Sequence, residues 1–185
     1  MKIAWVLANT VVLDPMLDIV TLKNIGPCWG SWRTWRAAQT DNVICHDQTR
    51  AKELLDKEFH RQCNLYLHQS THESLLKPGG TQVYGGDFAE PTEREEEIIA
   101  MHLASSQSDI VLLLGFDFGP QPAYADRELQ RRAENYRLYV QHIIKDDDQV
   151  QWVLVDHDTR LMSEVENLPN LTIDSLANII KMLNT

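Results

Sequence analysis

At 185 residues, with 43% hydrophobic and 24% charged side chains, the chain is long enough to bury a substantial core as one domain (1–185), and its composition excludes a disordered or collagen-like protein. A formal net charge of −10 without a dense Lys/Arg run argues against a nucleic-acid partner, while a small anionic ligand held by two or three arginines stays compatible. The three cysteines, Cys28, Cys45 and Cys63, lack CxxC spacing, which argues against a disulfide framework or structural zinc site and for a reducing cytoplasm, and no apolar run reaches membrane-spanning length.

Lys2 to Ala8 reads as a first buried strand rather than a signal peptide, because Asn9-Thr10 interrupts the apolar stretch and no cleavage signal follows. Residues 9–40 do not continue as a simple strand and helix alternation. Within them, Gly26-Pro-Cys-Trp-Gly-Ser-Trp-Arg-Thr-Trp-Arg36 predicts a glycine-containing turn that opens a short helix. Arg33 and Arg36 would share one helix face, and with Gly26 and Gly30 they suit a phosphate or carboxylate. The competing reading packs Trp29, Trp32 and Trp35 as a core or oligomer patch with the arginines in solvent.

Asn42-Val-Ile-Cys45 is a short strand ending in His46-Asp47, and Thr49 to Cys63 places Ala51, Leu55, Phe59 and Cys63 on one helical stripe. Leu65 to Leu67 is a weaker strand candidate, and 71–90 is irregular around Pro78-Gly79-Gly80. Thr92-Glu-Arg-Glu95 is a capping box that starts a helix through Ile98, Ile99 and Leu103. That helix leads into Ile110 to Leu114, whose unbroken apolar run predicts a central parallel strand with both faces covered. The run ends in Gly115-Phe-Asp-Phe-Gly-Pro120. A long amphipathic helix carries Leu129, Ala133, Tyr136, Val140 and Ile143. The strand Val150 to Val155 follows and ends in Asp156-His157-Asp158, then a weaker strand Asn170 to Ile173. A last helix runs through Leu176, Ile179, Ile180 and Leu183 with Asp174 as N-cap.

Strands alternating with helices predict an α/β fold, a three-layer doubly wound Rossmann-like arrangement around a mainly parallel sheet of about five to six strands. Parallel strands bring Asp47, Gly115, Asp117 and His157 to one edge, where ligands bind in such folds. There Asp117 would orient ribose hydroxyls or a metal and His157 would serve as a base. An aspartate at a strand end also caps the next helix or turn, so each residue alone has a structural reading. No compact metal-ligand motif occurs, so no metal ligand is assigned, although a divalent ion is left open as a cofactor.

The helix, apolar strand and Gly115-Phe116-Asp117-Phe118 tip resemble part of the sialyltransferase-like and DUF115-like α/β proteins. The resemblance spans the second half of the chain. It implies a Rossmann-type domain that holds a nucleotide donor and transfers a glycosyl or phosphate-containing group, with Gly115, Asp117 and Phe118 in the donor pocket. Of that family's first-strand loop only Asn9 is matched. The resulting expectation is a cytoplasmic protein that binds a nucleotide or another small phosphorylated ligand at the carboxyl edge and acts as a transferase. The alternative is a non-catalytic assembly protein, self-associating or partner-binding through the segment 29–35.

Overall fold

A computed structural model describes residues 1–8, 19–85, 93–116, 127–155 and 167–183. Strands and helices alternate through most of the described residues. The chain runs β1 (Ile3–Leu7), α1 (Ile19–Ile25), β2 (Cys28–Ser31), α2 (Trp32–Ala38), β3 (Asn42–Cys45), α3 (Gln48–Asp56), β4 (Asn64–His68), α4 (Gln69–Ser74) and β5 (Gln82–Tyr84). It continues with α5 (Glu93–Ser105), β6 (Ile110–Leu114), α6 (Arg127–Asp146), β7 (Gln151–Val155), β8 (Leu171–Asp174) and α7 (Leu176–Leu183).

All eight strands form one sheet in the order β5-β4-β3-β2-β1-β6-β7-β8, and every neighbouring pair is parallel. The α/β class and the parallel sheet are as the sequence implies, and the strand count is higher. The additional strands are β2, hidden among glycine, proline and tryptophan, and β5, too short to show a period. Burial confirms why the central strands read as continuous apolar runs: in β1 and β6 only the first residue is not buried. Such strands need cover on both faces.

Cover comes from two helix layers. On one side Leu22 of α1, Ala38 of α2 and Ile179 of α7 pack with Trp5, Leu7, Cys28, Leu112 and Leu114, and α3 adds Ala51 and Leu54 over Val43, Cys45, Leu65 and Leu67. On the other side α5 and α6 bring Ile99, Met101, Val140 and Ile144 onto Val6, Trp29, Val111 and Trp152. The chain thus steps outward from β1 under one layer and returns to β6 under the other, as right-handed crossovers require.

Two local expectations change. The helix expected over 49–63 stops at Asp56 because Glu58 enters the left-handed region at φ 55; a 3-10 turn, Phe59–Arg61, follows, and Leu55, Phe59 and Cys63 still line the same core. Asp174 ends β8, and the capping of α7 passes to Ser175, whose Oγ accepts from the Asn178 amide at 3.2 Å. Thr92 of the capping box lies outside the described residues. Among the described residues no helix is long and apolar enough to cross a membrane.

Candidate functional site

Strand order reverses at β1 and β6, since the chain leaves one toward β2 and the other toward β7. Their carboxyl ends define the crevice where doubly wound sheets take ligands. The Ala8 amide donates to the Leu114 carbonyl at 2.9 Å, so the two tips are joined. Gly115 follows with φ 79, a conformation that a side chain makes costly, and the ring of Phe116 is buried. Asn9, Asp117, Phe118 and His157 lie outside the described residues.

Beside β1, the first turn of α2 is held by side-chain hydrogen bonds. Ser31 Oγ accepts from the amides of Arg33 (3.1 Å) and Thr34 (3.2 Å), which satisfies donors that a helix start otherwise leaves open. Thr34 Oγ1 donates to the Leu7 carbonyl at 3.3 Å, tying this turn to the tip of β1. A Cβ on Gly30 would lie 2.9 Å from Thr34 Cβ, so Gly30 lets α2 sit close to the sheet. Gly26 belongs elsewhere. A Cβ there would meet the Ile3 carbonyl oxygen at 2.1 Å, which places Gly26 at the amino end of β1, away from the carboxyl edge.

Three guanidinium groups gather around the indole of Trp32: Arg50 at 4.9 Å from the ring centroid, Arg33 at 5.5 Å and Arg36 at 5.9 Å. Cation–π attraction favours this arrangement. Arg33 and Arg36 therefore do share one face, as their spacing implies. Arg50 was not legible as a partner. It arrives because Asp47, the expected ligand-binding residue, caps α3 instead: its Oδ1 accepts from the Arg50 amide at 2.7 Å. Arg50 is also paired with Glu53 at 2.9 Å. Of the tryptophans, Trp29 is in β2 and buried, Trp32 is only 9% exposed, and Trp35 stacks edge-on against Phe59 at 4.0 Å. The indoles are thus taken up largely within the chain itself.

On the α5 side of the same edge, β3, β4 and β5 end in a second polar group. His46 Nδ1 lies 3.1 Å from the Tyr84 hydroxyl, and the His46 and His68 rings are 4.8 Å apart. The His46 amide donates to Glu96 Oε1 of α5 at 2.9 Å, and Thr71 Oγ1 donates to the His46 carbonyl at 2.9 Å. Burial, followed by the neighbouring His68, lowers the pKa of His46 below its ordinary value, against an opposing pull from Asp47. Burial raises the Tyr84 pKa, reinforced by Glu96, so the phenol keeps its proton. Deeper on this side the Tyr136 hydroxyl donates to Glu97 Oε2 at 2.6 Å.

Cysteine chemistry finds no foothold here. Burial pushes Cys28 up to about 12 and Cys63 up to about 11, and raises Cys45 further still, so none offers a thiolate near neutral pH. Among the described residues no three His, Cys, Asp or Glu side chains are grouped to hold a metal ion.

Scans of protein-family models, curated proteins and solved structures found no match to this chain. The geometry of the edge is therefore what bears on function. Tyr84, Glu96 and the pairing of His46 with His68 escaped the sequence reading, although His46 directly follows β3 and His68 and Tyr84 end β4 and β5.

Proposed function

We propose that the protein binds a nucleotide or another small phosphorylated ligand at the carboxyl edge of its sheet, with group transfer as the associated chemistry. The observation that carries this reading is the convergence of Arg33, Arg36 and Arg50 on Trp32, beside the point where strand order reverses. In a chain of net charge −10, a cluster of three guanidinium groups is a local exception, and guanidinium forks match phosphate oxygens. Asn9, Gly115, Asp117 and Phe118 complete the donor side of this reading, and His157 is its base. The indole of Trp32 is covered by the guanidinium groups, so it supports them rather than stacking a nucleobase.

Calorimetric titration with nucleoside diphosphates, nucleotide sugars and inorganic diphosphate, with and without a divalent ion, tests the reading. The intact chain should bind at least one of them, and replacing all three arginines by glutamine should weaken binding about tenfold or more, since each charge-assisted hydrogen bond contributes about 1.5–3 kcal/mol. Absence of binding at millimolar ligand would overturn it. A transferase should also consume its donor slowly when only water is the acceptor, and Asp117→Asn should abolish that turnover.

A further inference from the structure

Helix α3 places a carboxylate of this chain on the arginine cluster itself. Glu53 lies one turn beyond Arg50, and its Oε2 is 2.9 Å from Arg50 Nη1. Its other oxygen, Oε1, accepts from Lys57 Nζ at 2.7 Å, so both oxygens are engaged by cations of the same segment. Hydrogen bonds from Lys57 and then from Arg50 hold the Glu53 carboxyl below the usual carboxylate range, which keeps it an anion at neutral pH. The side chains of Arg50 and Glu53 are 49% and 44% exposed, so the pair can open without disturbing the core.

Arg50 is the guanidinium nearest the Trp32 ring, at 4.9 Å against 5.5 Å for Arg33 and 5.9 Å for Arg36. Its backbone is fixed by Asp47, whose Oδ1 accepts the Arg50 amide at 2.7 Å. Asp47 thus serves the main chain, and Glu53 is the carboxylate that meets the guanidinium. A guanidinium engaged with a carboxylate has fewer donors left for an incoming anion. An exposed pair of this kind contributes little, on the order of 0.2–1 kcal/mol, so a phosphate with two or more charges can displace it. The displaced group needs no new partner, since Glu53 Oε1 already rests on Lys57.

We propose that Glu53 is a resident competitor at the arginine cluster: a phosphate reaches Arg50 by taking the place of the Glu53 carboxylate, which stays with Lys57. The proposal rests on the phosphorylated-ligand reading and adds to it the residue that limits how tightly the cluster binds.

Calorimetric titration of the full chain with inorganic diphosphate tests the competition. Glu53→Gln should tighten binding about twofold to fivefold, the scale of one exposed ion pair. In an Arg50→Gln background that gain should vanish, because the contact it releases is already gone. In an Arg36→Gln background it should persist. Glu58→Gln removes an equal charge from the same segment, where Glu58 pairs with Arg61 at 3.2 Å, and should leave affinity within experimental error. Loss of the Glu53 pairs weakens α3 slightly, so a gain in affinity is a result that a purely structural role for Glu53 would not give. Unchanged or weaker binding in Glu53→Gln would overturn the proposal, as would a gain that survives the loss of Arg50. An equal gain in Glu58→Gln would also overturn it, by showing a general effect of charge. Arginine-dependent binding by the intact chain without a gain in Glu53→Gln would end this proposal alone. No binding by the intact chain or by Glu53→Gln at millimolar diphosphate would end it together with the reading on which it rests.

Discussion

The two faces of one sheet edge carry different chemistry. On the α2 and α3 side, three guanidinium groups surround an indole at 4.9–5.9 Å, and the arginines are solvent-exposed. On the α5 side, two imidazoles and a phenol gather beside Glu96, and Glu97 pairs with Tyr136 deeper in the layer, both glutamates being 3% exposed. Permanent charge sits in water, and His46 and Tyr84 sit where burial shifts their proton binding. The difference follows from the layers: short helices α2 and α3 begin at the edge, whereas α5 crosses beneath the central strands and buries Glu96 to Met101 against them.

Trp29→Ala should produce the largest effect and should break the α5 side first. Trp29 is 2% exposed and its ring lies 5.1 Å from that of Tyr66, two residues before His68 on the same strand face. Truncation should cost about 3–5 kcal/mol, as emptying a well-packed aromatic site does, read from the urea midpoint at unchanged slope. Trp35→Ala removes an indole that is only partly buried, and should cost clearly less. Equal losses would mean that the outer layer is as tightly packed as the inner one, and the contrast between the faces would fail.

Much of this division was legible in the chain, but not all of it. Apolar runs such as Ile110 to Leu114 announce buried parallel strands because both faces must be dry. The alternation with amphipathic helices then dictates a doubly wound sheet. β2 escaped because Cys28-Trp-Gly-Ser31 mixes small and large residues, and β5 because three residues carry no period. Site residues were less legible, since pairing across strands depends on register. His46 and His68 are 22 positions apart in the chain, and only the alignment of Cys45 with Leu67 sets their rings side by side. Asp47 was legible as a polar strand tip but not as the cap that orients Arg50, because ligand and cap readings use the same residue type at the same place.

Tyr136→Phe should come next in size. It removes the 2.6 Å hydrogen bond to Glu97 Oε2 inside the α5 and α6 layer, where Tyr136 is 6% and Glu97 3% exposed. Loss of a donor from a buried carboxylate costs about 1–3 kcal/mol, measurable by chemical denaturation. The arginine cluster should not sense it, so ligand affinity on the α2 side should stay within experimental error. A parallel loss of affinity would show that the two faces are coupled through the sheet.

The smallest effect concerns pH and sharpens the contrast most directly. In the folded chain His46 binds its proton less tightly than in the unfolded chain, because burial and His68 both oppose the charge. The unfolded state therefore takes up the proton first on acidification. The contribution of His46 is fully present above the unfolded histidine range, falls as pH drops toward the folded value, and is constant below it. Urea midpoints of the intact chain should decline across that acid window, and His46→Gln should make the decline shallower without changing its alkaline plateau appreciably. Arg36 stands on the other face of the sheet, away from the imidazoles, so Arg36→Gln should displace the whole curve slightly and leave its slope alone. A slope that changes with Arg36 and not with His46 would place the acid sensitivity on the wrong face of the edge.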